Sequence, residues 1–303
     1  MPGSFIVSLD CEGKWGMADK IGPEHGFITE ASLTEAYARL LAAFGRHGVP
    51  ATFAFVGAFV LDEAGRRRHR DLFRDIPYEG RNWLRNYRLA EAAGALDGWF
   101  CPAALDMALE GGHEIASHGF SHVPFDDPAT PDADLAADIE AAVEVGRARG
   151  VPPRTFVYPR NRVGRTRLLA ANGFGAYRTL LPGRGQILKL LREFNVLERS
   201  QPDGTVRDGL LEIPAGYFLN WRQGIRRRVP RAVTRARWSS VLGHAARTGG
   251  VAHLWLHPHN IISAPETLGV LDRILGRAAR LRDAGDLLIE TQADYLDRLA
   301  GTS

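Results

Sequence analysis

Short apolar runs alternate with longer stretches of helical period along most of the chain. "SFIVSLD" (4–10) and "ATFAFVG" (51–57) have the largely apolar character of strands buried on both faces. "GGHEIASHG" (111–119), "RTFVYP" (154–159), "LLEIPAG" (210–216), "VAHLWLHP" (251–258) and "DLLIETQ" (286–292) contain further strands. Between them, 29–48 reads as a helix with Thr29 or Ser32 to start it and Gly48 to end it. Positions 131–150 form an acidic-start helix closed by Gly150, 165–174 a shorter one, and 265–284 a helix before the last strand. No repeat of fixed period is present. Strand–helix alternation predicts an α/β fold with a parallel sheet or barrel, whose functional residues sit at the C-terminal strand ends. That rule places Asp10 and Glu12, His118 and His122, Pro159 and Arg160, and His257 on one rim. Positions 60–102, rich in Arg and aromatics, break the alternation. They read as an insertion that caps the rim or packs at the periphery.

Composition adds bounds. The 303 residues, 45% hydrophobic and 24% charged, suit one globular domain over 1–303. Cys11 and Cys101 are too few for a disulfide framework and read as free thiols in a reducing compartment. The N-terminus has no basic stretch before an apolar one, and no segment is apolar enough to span a membrane, so the expected location is the cytoplasm. The net charge of +3 is weak, but 65–75 and the helical segment 222–247 are locally basic. Such runs are solvated helix faces, or patches for phosphate on a nucleotide-sugar, a lipid pyrophosphate or an anionic membrane surface. Peripheral membrane contact is therefore a candidate role for 222–247. No nucleic-acid module or aromatic-interleaved basic motif is present, which argues against a nucleic-acid partner.

The candidate chemistry lies at the strand ends. "HGFSH" puts His118 and His122 four residues apart, a spacing that turns both rings the same way on a helical turn and suits one metal ion. "SLDCEG" supplies Asp10 and Glu12 two residues apart, so both face one side of an extended chain. Buried carboxylates need partners. One of the two can ligate a metal while the other acts as a base. His257, at the end of "HLWLH", is placed to protonate a leaving amine. His253 reads as a packed core residue.

In order, "SLDCEG", "ASHGFSH", "FVYPRN", "LEIPAGYFLNW" and "LWLHPHN" resemble the five motifs of the polysaccharide deacetylase family, the NodB-homology group of carbohydrate esterase family 4. The resemblance runs from about residue 4 to residue 260. It implies a distorted (β/α) barrel and a metal-dependent amide hydrolase that removes an N-acyl group from an amino sugar. It assigns Asp10 as base, His257 as acid, and His118 and His122 as metal ligands. The family's usual pair of adjacent aspartates is interrupted here by Cys11, which gives the metal carboxylate to Glu12. In the third motif Arg precedes Pro by two places, whereas this chain reads Tyr158, Pro159, Arg160, Asn161. Arg160 is then expected to steady Asp10, with Trp15, Tyr158 and Trp221 beside the substrate. Nitrogen and oxygen ligands suit zinc first, and also Fe, Co, Ni and Mn. The expected substrate is an N-acetyl amino sugar in an intracellular glycan or surface-polysaccharide precursor, which can carry phosphate. The alternatives are an N-deformylase of a formamido sugar, a ring-opening amidohydrolase of a small cyclic amide, and a non-catalytic carbohydrate-binding protein on the same fold.

Overall fold

The computed structural model describes residues 2–179, 181 and 192–301. From the N-terminus it runs β1 (Gly3–Cys11), α1 (Glu30–His47), β2 (Thr52–Phe55) and α2 (Glu63–Arg68). Next come a small hairpin of β3 (Pro77–Tyr78) and β4 (Arg81–Asn82), α3 (Arg85–Ala92), α4 (Pro102–Glu110) and β5 (Glu114–Ser117). Then follow α5 (Asp132–Ala148), β6 (Thr155–Val157), α6 (Thr166–Ala171), β7 (Ala176–Arg178), β8 (Thr205–Arg207), β9 (Leu210–Ile213) and β10 (Tyr217–Phe218). The chain closes with α7 (Arg231–Thr248), β11 (Val251–Leu256), α8 (His259–Ser263), α9 (Glu266–Asp283), β12 (Leu287–Glu290) and α10 (Gln292–Ala300).

β1 is buried along its whole length because both of its faces are covered. The main sheet has the order β10-β11-β1-β2-β5-β6-β7-β9-β8. Every pairing in it is parallel except the hairpin of β8 and β9. On one edge of β1, Gly3–Ile6 pair with β12 and Ser8–Cys11 pair with β2. The sheet divides there and curls into a half-barrel, the distorted (β/α) barrel of the NodB type.

Local signals set the helix ends. Thr29 accepts from the Ser32 N–H while the Ser32 hydroxyl takes the Thr29 N–H, and Gly48 ends α1 in the left-handed region at φ 56°. The 60–102 segment holds α2, the hairpin and α3, and it packs inward through aromatics. Tyr87 stacks on Trp15 at 4.8 Å, and Phe73 meets Phe120 at 5.6 Å. Trp15 is fully buried in this cluster and gives its indole N–H to the Trp99 carbonyl. The expectation of Trp15 beside the substrate is thereby corrected: the ring is buried in the core. Cys11 and Cys101 are buried and unpaired. No helix among the described residues is long and apolar enough to cross a membrane.

His253 on β11 is buried, with Nδ1 2.7 Å from the Pro214 carbonyl and Nε2 2.8 Å from the Ser8 hydroxyl. A carbonyl only accepts, so Nδ1 carries the proton and Nε2 accepts from Ser8. Burial, with the charge of Arg178, pushes this histidine down to about 3. The unfolded chain takes up the proton near pH 6.5 and the folded chain does not until about pH 3. This group's stabilisation is therefore complete above the higher value and is lost as pH falls through the window. We expect unfolding free energy from denaturant titrations to drop as pH falls from 6.5 towards 4, by up to ~1.4 kcal/mol per pH unit from this ring. His253→Gln should flatten that slope; an unchanged slope would contradict the assignment.

Candidate active site

β1 ends by carrying two carboxylates into the interior. Asp10 is 2% exposed and Glu12 6%, and their alternation turns both to the rim, with buried Cys11 between them. Asp10 is held by Arg178, the last residue of β7, through two hydrogen bonds of 2.7 Å from Nη1 and Nη2. Arg178 is itself fully buried. It also donates to the Ser8 hydroxyl at 2.9 Å and to Asn161 Oδ1 at 2.7 Å, and its guanidinium lies 4.8 Å from the centre of the Trp255 ring. Burial alone would raise the Asp10 carboxyl. The Arg178 guanidinium, helped by His118 and His257, overrides it and holds Asp10 below the usual carboxylate range.

Glu12 faces the two histidines. Its Oε2 is 2.8 Å from His122 Nε2 and 3.4 Å from His118 Nε2, and the two nitrogens are 3.1 Å apart. Gly16 makes room, since a Cβ there would sit 2.0 Å from Glu12 Oε1. The helical turn expected for "HGFSH" is absent. The segment is a loop after β5, with Gly119 at φ 75° and His122 at φ 62°. The rings converge because the loop is folded around Asp138 of α5. That carboxylate accepts from the Phe120 N–H at 2.7 Å, the Ser121 N–H at 2.8 Å and the Ser121 hydroxyl at 2.5 Å. Trp83 of the 60–102 segment adds an indole N–H to the Ser121 carbonyl.

The donor set fits a divalent metal. His118 gives its Nδ1 proton to the Val157 carbonyl at 2.6 Å, which leaves the Nε2 lone pair facing Glu12. Burial, opposed by Glu12, pushes His122 down to about 4, so it is neutral, the ligating form, at neutral pH. Glu12 lies well below its usual range, because His257, His122 and His118 outweigh its burial. One ligand atom from each of Glu12, His118 and His122 falls within 4.8 Å of the others, all three side chains buried. Two imidazole nitrogens and a carboxylate oxygen suit zinc and its neighbours.

His257 follows β11 on the same rim. Its Nε2 is 3.5 Å from Glu12 Oε1 and 3.9 Å from Asp10 Oδ2, and its ring stacks on His259 with centres 5.0 Å apart. Trp221 stands half-buried beside His259, its indole N–H on the Ser263 hydroxyl at 2.9 Å. Two other expected residues lie elsewhere. Arg160 pairs with Asp19 and covers the Trp83 ring, so the guanidinium on Asp10 is not Arg160 but Arg178. The third motif reaches Asp10 only through Asn161. Tyr158 is fully buried among Phe125, Phe156 and Tyr177 and presents no ring to a groove.

Arg178 and Asp138 were not singled out from the sequence. "GAYR" (175–178) offered a signal for the first: a Gly turn and a short run ending in a charge, where the alternation required another strand after the helix at 165–174. Asp138 sits mid-helix and carries no local mark. Because Asp138 sets the backbone of the loop that aims both imidazoles, we expect Asp138→Ala to weaken zinc binding by the ~10–100-fold that loss of an outer partner costs. Chelator competition measures it, and wild-type affinity in a folded variant would contradict this role.

Comparisons with known proteins bear on the fold and the family. The chain superposes on a candidate polysaccharide deacetylase from Mycobacterium smegmatis with a TM-score of 0.63 at 17% identity, covering 100% of this chain and 92% of that one. PuuE allantoinase gives 0.57 at 15% identity over 99% and 90% of the two chains. A mutant of a CE4-family pseudoenzyme with restored enzymatic activity gives 0.50 at 13% identity over 97% and 68%. At such identities these likenesses show a shared fold. A comparison with curated proteins finds no match. The family description "Polysaccharide deacetylase" matches residues 22–178, more than half of the sequence. On that match the chain belongs to the polysaccharide deacetylase family.

Proposed function

We propose that the protein is a metal-dependent amide hydrolase that removes an N-acetyl group from an amino sugar in a glycan or surface-polysaccharide precursor. The observation that carries the reading is one rim on which an ionised, arginine-held Asp10 stands beside the Glu12–His118–His122 cluster, with His257 within 4 Å of both carboxylates. Glu12, His118 and His122 would hold zinc or a related divalent ion, which would supply Lewis-acid charge to the reaction. The unpaired thiols of Cys11 and Cys101 favour a reducing, cytoplasmic setting for that precursor.

The chain's own residues do the rest. Asp10 accepts a proton from the attacking water as its oxygen bonds to the acyl carbon. Arg178 weakens Asp10 as a base by stabilising its charge, but it fixes both oxygens, so the gain is one of position. His257, in its protonated form, donates to the sugar nitrogen as the C–N bond breaks, which lets the amine leave neutral. Trp221, beside His259, forms a wall against the sugar.

The test is release of acetate or formate from nucleotide-linked, lipid-linked and oligomeric N-acyl amino sugars by zinc-loaded protein. We expect acetate from the wild type, none from His118→Ala, and rates ~10²–10⁴-fold lower for Asp10→Asn and His257→Ala. Formate alone would replace the acetyl assignment by a deformylase. Neither acid from the whole panel would overturn the hydrolase reading in favour of carbohydrate binding.

A further inference from the structure

α7 and α9 pack side by side on the outside of the barrel. Between them runs a cleft of about 400 Å³ that adjoins a second of about 460 Å³, the two sharing Arg235, Asp272 and Arg273. The floor is apolar, with buried Trp238, Leu242 and Ile274. The walls are cationic. Arg231 and Arg235 line one side at a four-residue spacing. Arg273, Arg277 and Arg280 line the other, at spacings of four and three. Such spacings stack side chains in a row along one helix face.

These five guanidinium groups have no ion pair among the described residues, and Arg277 Nε is buried with no hydrogen-bond partner. The one carboxylate in the cleft, Asp272, is already taken by Arg46 and by His47 at 3.0 Å. Some other arginines of the chain are neutralised, such as Arg154 by Asp297, Arg165 by Asp132 and Arg237 by Glu193, while others such as Arg68 and Arg228 stand singly without an ion pair among the described residues. The net charge is only +3, so two facing rows of unanswered cations concentrate positive charge at this one place. Their mutual repulsion is relieved by an anion between them, and a concave wall of one sign focuses the field that attracts it.

We propose that this groove binds a ligand carrying two or more phosphate charges. Guanidinium forks match phosphate oxygens two at a time, and two rows along a trough suit a diphosphate or a pair of phosphodiesters better than a single small anion. A soluble diphosphate and an anionic lipid headgroup offer the same chemistry. The groove lies on the helical layer, apart from Glu12, so the inference does not depend on amide hydrolysis.

The probes are inorganic pyrophosphate, followed by calorimetry, and phosphatidylglycerol vesicles against phosphatidylcholine vesicles, followed by co-sedimentation. Four proteins are compared: the wild type, Arg235→Gln/Arg273→Gln, its lysine counterpart, and a charge-matched control, Arg67→Gln/Arg70→Gln, on the exposed part of the 60–102 segment. We expect binding at least ~10-fold weaker in the groove variant, unchanged in the control, and weakened by salt as arginine–phosphate contacts are. Arg235→Lys/Arg273→Lys keeps the charge and should lose less. Loss seen with pyrophosphate assigns a soluble phosphate ligand; loss seen only with anionic vesicles assigns a lipid headgroup. No binding of either probe, no loss in the groove variant, or equal loss in both glutamine doubles would overturn the proposal.

Discussion

The pairing of Asp10 with Arg178 is the constraint on which the rest of the architecture turns. A carboxylate and a guanidinium, both buried, are tolerable only when their hydrogen bonds meet, and breaking such a pair costs ~3–5 kcal/mol. Here they meet across a sheet. Three strands separate β1 from β7 in the order β1-β2-β5-β6-β7, so a flat sheet would hold them ~19 Å apart at ~4.8 Å per strand. The bonds are 2.7 Å long. Only a sheet curled on itself closes that gap, and the register Val157 to Arg178 sets the guanidinium at the C-terminal rim. Curl, register and active rim are thus one requirement.

Around this pair most polar atoms find partners in turn, although Arg178 Nε has none among the described residues. Ser8 accepts from Arg178 and donates to His253, whose other nitrogen donates to a main-chain carbonyl. Asn161 takes a further Arg178 proton. The second carboxylate, Glu12, has no arginine and faces His118, His122 and His257 instead. That difference divides the labour. One carboxylate is fixed and ionised, and the other stands among imidazole nitrogens in a set that could hold a cation.

Much of this was legible in the sequence because it lies at strand ends. Asp10, Glu12, His118, His122 and His257 follow apolar runs, and parallel α/β topology gathers such positions. The geometry within the loop was less legible. The His spacing suggested a helical turn, but Gly119 and His122 adopt positive φ, and the anchor, Asp138, lies on a helix sixteen residues beyond His122. Arg160 was the arginine beside the third motif's proline, yet Arg178, on a three-residue strand, has the reach. Trp15 and Tyr158 show a related limit. An aromatic next to a motif is equally suited to the core beneath it, and here both rings are buried.

The central claim is that Glu12, His118 and His122 jointly hold one divalent ion while Asp10 remains bound to Arg178. Anomalous X-ray diffraction at the zinc edge, on crystals of zinc-loaded protein, tests it most directly. The account predicts one strong peak within ligand distance of all three side chains, with the Asp10–Arg178 hydrogen bonds intact. No peak there at full zinc loading, or a peak on Asp10 with Arg178 displaced, would contradict it.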